Sequence, residues 1–134
     1  MKKINLAITG CMGRMGQQLI KSANKDKAFK ITSLTESRRI NKRIFGVSPE
    51  INSIDAFKKA NVIIDFTVPK CTFEILKIAF KLKQKDVIGT TGFTKSEENL
   101  IKKFSSKIPI LKAGNMSLGV NLSLIHISEP TRPY

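Results

Sequence analysis

The chain has 134 residues, 41% hydrophobic and 25% charged, enough for one buried core and close to the usage of ordinary globular domains rather than disordered chains. Its formal net charge of +14 comes from 19 lysines and 5 arginines against 10 acids, spread along almost the whole length without interleaved aromatics. That pattern excludes a base-stacking nucleic-acid site and leaves only general attraction to anions. No run approaches the roughly 18 consecutive apolar residues of a membrane span, and the apolar stretch after Lys3 breaks at Asn5 and ends at Gly10, too short for a secretory signal. The reading is of a cytoplasmic protein with no membrane or nucleic-acid partner, with Cys11 and Cys71 as free thiols and with no spacing of His126 and the cysteines that would hold a metal.

In chain order, "INLAIT" (residues 4–9) is a short apolar strand closed by Gly10, as a buried parallel strand should be. A helix follows from Gly13 to about Asn24, with Met15, Leu19, Ile20 and Ala23 at helical spacing. "FKITSLTE" (29–36) is a second strand, and residues 37–52 are expected to form a surface loop. A short helix over 53–60 leads into a third strand, "NVIIDFT" (61–67). Pro69 can open the next helix, which runs to about Gln84. "DVIGTTG" (86–92) is a fourth strand, and the helix after it is capped by Thr94 or Ser96, with Glu97 and Glu98 near the positive end of its dipole. "IPILKA" (108–113) is a fifth strand. Strands alternating with helices predict an α/β fold, a doubly wound parallel sheet covered on both faces.

The chemistry concentrates at strand ends. "ITGCMGRMGQQL" sets Gly10, Gly13 and Gly16 between a strand and a helix, where missing Cβ atoms let a dinucleotide's pyrophosphate approach a helix N-terminus. The spacing G-x-x-G-x-x-G departs from the G-x-G-x-x-G fingerprint, with Met12 in place of the second glycine. Glu36 ends the second strand 20 residues after Gly16, where an acid can accept hydrogen bonds from the adenosine ribose. Arg38 and Arg39 follow, and a guanidinium there can meet a 2′-phosphate. Either NADPH or NADH is therefore admitted. Gly89, Thr90, Thr91 and Gly92 lie at the C-terminal end of the fourth strand, on the sheet edge that holds ligands.

Together "GCMGRMG", "TESRR", "IIDFT", "VIGTTGF" and "AGNMSLGVN" resemble the bacterial dihydrodipicolinate reductase family of the lysine and diaminopimelate pathway, over residues 3–121. The resemblance implies a Rossmann-type domain over residues 1–121 that binds NADPH or NADH. It puts the phosphate loop on Gly10, Cys11, Met12, Gly13, Arg14 and Met15, the ribose acid on Glu36, the nicotinamide loop on Gly89, Thr90 and Thr91, and the carboxamide-side segment on Ala113, Gly114, Asn115 and Met116. Ser37 stands where some members carry the basic residue for the 2′-phosphate, so Arg38 or Arg39 would have to substitute. The family passes a hydride to the ring of 4-hydroxy-tetrahydrodipicolinate, with substrate chemistry from a second domain and a homotetrameric full-length protein.

After Asn121 the family pattern breaks into "LSLIHISEPTRPY", which reads as a translated sequencing adapter (122–134) rather than a domain ending. On that reading His126 is not a catalytic histidine, no catalytic residue lies in the chain, and the fragment is truncated before its substrate domain. Its own behaviour would be cofactor binding without turnover. Another NAD(P)-dependent reductase sharing this first domain is the alternative.

Overall fold

The computed structural model describes residues 3–112. Its elements in order are β1 (Ile4–Thr9), α1 (Arg14–Lys25), β2 (Phe29–Glu36), β3 (Glu50–Ile51), α2 (Ile54–Phe57), β4 (Val62–Asp65), α3 (Pro69–Leu82), β5 (Lys85–Ile88), α4 (Lys95–Ser105) and β6 (Ile110–Lys112). The six strands form one sheet in the order β3-β2-β1-β4-β5-β6, every adjacent pair parallel. The chain leaves β1 toward β2 and β3 on one side and returns to build β4, β5 and β6 on the other. The strand order therefore reverses between β1 and β4, and open α/β sheets place their ligand crevice at the C-terminal strand ends beside such a point.

Strand alternation sends side chains to two separate cores. Leu6, Ile8, Leu34, Val62 and Ile64 pack against Leu19, Ile20 and Ala23 of α1. Ala7, Ile63 and Ile88 face the other way, onto Phe57, Ile75, Leu76, Ala79 and Ile101 of α2, α3 and α4. Because both faces are covered, residues 6–8 of β1 and 62–64 of β4 are apolar without alternation, and each buried Leu or Ile contributes about 1.5–3 kcal/mol.

Local signals set the helix ends. Thr94, not Ser96, caps α4, in a capping box where its hydroxyl accepts from the Glu97 N–H and the Glu97 carboxylate accepts from the Thr94 N–H. Pro69 opens α3, and Lys83 closes it in the left-handed conformation at φ 54, its N–H returning to the Ala79 and Phe80 carbonyls. Ser53 caps α2, but this helix ends at Phe57 rather than at residue 60. The buried Gln84 side-chain amide donates to the Phe57 and Ala60 carbonyls at 2.6 Å each, and the Phe57 carbonyl also accepts the Ala60 N–H at 3.0 Å.

Residues 37–52 depart from the expected plain loop. They include β3, which extends the sheet beside β2 through Thr35 and Glu36, and a bridge between Ile44 and Val47. A two-residue edge strand has too little periodicity to be read from sequence. The strands expected over 61–67 and 86–92 are shorter, since the Gly89 N–H to Asp65 carbonyl bond at 2.7 Å is the last to join β4 and β5, and both chains then diverge. Ala113, the expected end of β6, lies outside the described residues, as do residues 114–134.

Candidate functional site

The loop after β1 uses its own backbone donors to hold its shape. Gly10 sits at φ +64, and a Cβ there would come within 3.0 Å of the Phe66 carbonyl oxygen, so both backbone conformation and space call for glycine. The Cys11 N–H donates to the Thr35 carbonyl at 3.1 Å, and the Gly13 N–H to the Gly10 carbonyl at 3.0 Å. The Met12 N–H donates to Glu36 Oε2 at 3.0 Å. Three of the residues assigned to a phosphate loop thus have their donors committed inside the protein. Helix α1 begins at Gly13 with no side-chain cap, which leaves the first-turn N–H groups of Arg14 and Met15 without intrahelical partners. Arg14 is exposed, whereas the Met15 side chain packs against the core.

The loop glycines divide by what surrounds them. A Cβ on Gly16 would overlap the Gly10 carbonyl oxygen, so this glycine lets α1 pack onto the loop. A Cβ on Gly13 would meet only the Gly10 oxygen, at 3.3 Å, and Gly13 borders an open cleft. Cys11 is fully buried. Burial, then the Glu36 carboxylate, raises its thiol pKa to about 11, which keeps the sulfur protonated and unreactive at neutral pH.

The cleft, about 280 Å³, lies at the switch point between β1 and β4. Gly10, Gly13 and Glu36 form one wall, and Phe66, Thr67 and Val68 the other. Ser37, Asn52 and Cys71 close its far end. It continues into a second hollow of about 280 Å³ past Ile51, Lys70 and Glu74. Ile51 and Val68 are the exposed apolar residues on these walls, 51% and 61% accessible. Glu36 is tied down at both oxygens, Oε1 accepting the Ser37 N–H at 3.0 Å and Oε2 that of Met12. Arg38 is exposed on the loop beyond, as is Arg39, and neither lines the cleft.

At the end of β5, Gly89 is packed against the Phe66 ring so closely that a Cβ would overlap it. Thr91 is exposed. Thr90 is 3% exposed, and its hydroxyl is engaged inside the protein. It accepts from the Thr67 N–H at 3.0 Å and the Thr72 hydroxyl at 2.9 Å. Beside it lies the buried carboxyl of Asp65, whose Oδ1 accepts the hydroxyls of Thr9 at 3.0 Å and Thr67 at 2.6 Å. Burial raises the Asp65 pKa, and the hydroxyls of Thr67, Thr72, Thr9 and Thr90 oppose that rise. Ala113, Gly114, Asn115 and Met116 lie outside the described residues.

Thr67, Val68, Asn52 and Cys71 received no role in the sequence reading, although "IIDFT" was among its motifs. Knowing that β4 neighbours β1 would have exposed Thr67 and Val68, because the crevice opens between those two strand ends. Nothing local marks Asn52 or Cys71, which are joined by an Nδ2–Sγ contact of 3.3 Å. Both thiols are free. Among the described residues no helix is long and apolar enough to cross a membrane, and no group of three or more His, Cys, Asp and Glu side chains could hold a metal ion.

A family model described as dihydrodipicolinate reductase, N-terminus, matches residues 4–116. The chain is 66% identical to the 4-hydroxy-tetrahydrodipicolinate reductase of Pelagibacter ubique (strain HTCC1062) over 98% of its own length and 50% of that protein's. It is 40% identical to the enzyme of the same name from Buchnera aphidicola subsp. Acyrthosiphon pisum (strain Tuc7), over 98% and 53%. The chain therefore spans about half the length of the curated relatives it matches. Among solved structures, dipicolinate-bound dihydrodipicolinate reductase from Paenisporosarcina sp. TG-14 superposes with a TM-score of 0.65 at 23% identity, covering 78% of this chain and 43% of that one, a likeness of fold. With a family model spanning β1 to β6, the chain belongs to the dihydrodipicolinate reductase family, as its N-terminal, Rossmann-type part.

Proposed function

We propose that residues 1–121 bind NADPH or NADH, and that the full-length protein uses it to reduce 4-hydroxy-tetrahydrodipicolinate to tetrahydrodipicolinate in lysine and diaminopimelate biosynthesis. The observation that carries the reading is the cleft at the β1/β4 switch point. An uncapped helix N-terminus, an acid and a glycine with open space before it meet there. The geometry fits a dinucleotide. The N–H groups of Arg14 and Met15 would take the pyrophosphate, assisted by the dipole of α1. Glu36 would exchange one of its backbone donors for ribose hydroxyls, and the apolar faces of Ile51 and Val68 suit an adenine ring. Gly89 and Thr91 would border the nicotinamide, with Ala113, Gly114, Asn115 and Met116 as its carboxamide-side segment.

When bound, the cofactor supplies a hydride; the chain's own residues bind and orient it. Gly13→Val tests the site. It should weaken NADPH and NADH binding at least 100-fold in calorimetry with the melting temperature little changed, and unchanged affinity would remove the phosphate-loop assignment.

A further inference from the structure

One row of the sheet continues past the strand ends. Thr9, Asp65 and Ile88 are paired in register as the last residues of β1, β4 and β5, so Gly10, Phe66 and Gly89 stand side by side one position further on. The central residue fills the space that both glycines leave. The Phe66 carbonyl oxygen lies 3.0 Å from where a Cβ would stand on Gly10, and the three atoms nearest to a Cβ on Gly89 are all carbons of the Phe66 ring. Phe66 is half-buried and borders the cleft.

The ring is held over Gly89 from both sides. The residue before it, Asp65, accepts the Gly89 N–H at its carbonyl at 2.7 Å, and the residue after it, Thr67, donates its N–H to Thr90 Oγ1 at 3.0 Å. Gly10 has φ +64, but Gly89 is not among the glycines of positive φ. Its backbone would accept a side chain, and it is the ring that excludes one. Close-packed groups have no slack to absorb a displacement, so the ring fixes how near the β5 loop comes to the cleft. The carbonyl and the ring face different loops, the first after β1 and the second after β5. A side-chain substitution at Phe66 therefore alters the second contact and leaves the first in place.

We infer that Phe66 is a positioning residue, a spacer whose ring sets the distance between the phosphate loop and the nicotinamide loop so that both ends of one dinucleotide are engaged together. The inference rests on the cofactor-binding reading above. Without the ring, Gly89 and Thr91 lose the surface that places them. With a methyl on Gly89, the β5 loop is pushed off the ring. In both cases the nicotinamide end of the ligand loses its partner, while the adenosine and phosphate end keeps its own.

The test is calorimetric titration of the whole chain with NADH and with ADP-ribose, which lacks the nicotinamide. Wild type, Phe66→Ala, Gly89→Ala and the double variant are compared, each with its melting temperature. Wild type should bind NADH more tightly than ADP-ribose. In each single variant the NADH-to-ADP-ribose affinity ratio should fall about tenfold, a usual coupling for residues in contact, with ADP-ribose affinity changed less than about twofold. The double variant should show about the same tenfold fall, because the methyl no longer meets a ring, instead of the roughly hundredfold fall of two independent losses. Equal affinities in wild type, an unchanged ratio in the single variants, equal losses for both ligands, or additive losses in the double variant would overturn the spacer role. If Phe66→Ala does not fold, Phe66→Leu takes its place, and the loss from Gly89→Ala should then be smaller beside leucine than beside the ring. Wild type that binds neither NADH nor ADP-ribose would overturn the cofactor reading itself.

Discussion

Asp65 and Asp86 stand on adjacent strands and on the same face of the sheet, two register positions apart, Asp65 opposite Ile88 and Asp86 opposite Ile63. Both are buried, at 0% and 1% exposure, yet their surroundings are opposite. Asp65 is at a strand end, where diverging loops bring hydroxyls to it. Asp86 is held inside the ladder by its N–H to the Pro109 carbonyl at 3.1 Å, and neither of its carboxyl oxygens has a hydrogen-bond partner. Burial, then the nearby Asp65 carboxylate, raises its pKa well above the ordinary aspartate range. The lesson is that a sheet can accommodate an acid where it opens into loops and only tolerates one where its neighbours are Ile63 and Ile110.

The strongest way to break this contrast is Asp65→Leu. It leaves the Thr9 and Thr67 hydroxyls without their carboxyl acceptor, and at roughly 1–3 kcal/mol per buried unsatisfied group the loss of stability should be about 3 kcal/mol. Urea unfolding would read it, and a loss below about 1 kcal/mol would mean that the threonines find other acceptors.

Asp86→Val should act in the opposite direction, raising stability at pH 7 by about 2 kcal/mol, because an apolar residue replaces a polar group with nothing to bond. The pH dependence follows from the sign of the shift. An acid whose folded-state pKa is raised keeps its proton in the folded chain after the unfolded chain has released it. Stability contributed by the protonated form is therefore complete below about pH 4 and falls as pH rises toward the folded pKa. Asp65 is shifted in the same direction, so Asp86→Val should reduce this slope without abolishing it. A wild-type stability that is flat or rising between pH 4 and 8 would contradict the assignment.

The smallest expected effect concerns charges on the solvent side of the same sheet edge. Arg38 and Arg39 are exposed, so replacing both with alanine should weaken NADPH by roughly threefold to fivefold more than NADH, the scale of a screened surface ion pair. Equal changes for the two cofactors would reduce the arginines to general attraction.

Among the described residues, sequence periodicity located the four helices and five of the six strands, because buried parallel strands are apolar runs and amphipathic helices carry spaced apolar residues. It missed β3, whose two residues are both exposed and whose pairing with β2 depends on the loop that precedes it. The glycines were visible, but not their differing reasons. Gly16 and Gly89 are required by the Gly10 carbonyl and the Phe66 ring, neighbours made by folding, while a Cβ on Gly13 would meet only the Gly10 oxygen, at 3.3 Å.

The cleft divides the same way. Glu36 could be recognised from its position at a strand end, whereas Thr67, Val68 and Asn52 reach it only because β4 lies beside β1 and β3 beside β2. The amino-acid sequence by itself determined the alternation of strands and helices, a capped start to α4 at Thr94 or Ser96, and the glycine loop, since each depends on residues a few positions apart. The tertiary structure alone decided which strand ends meet. That settled the direction of the Thr90 hydroxyl, the commitment of the Met12 N–H to Glu36, and the separate fates of Asp65 and Asp86, because hydrogen bonding and desolvation depend on neighbours up to 56 residues away in the chain.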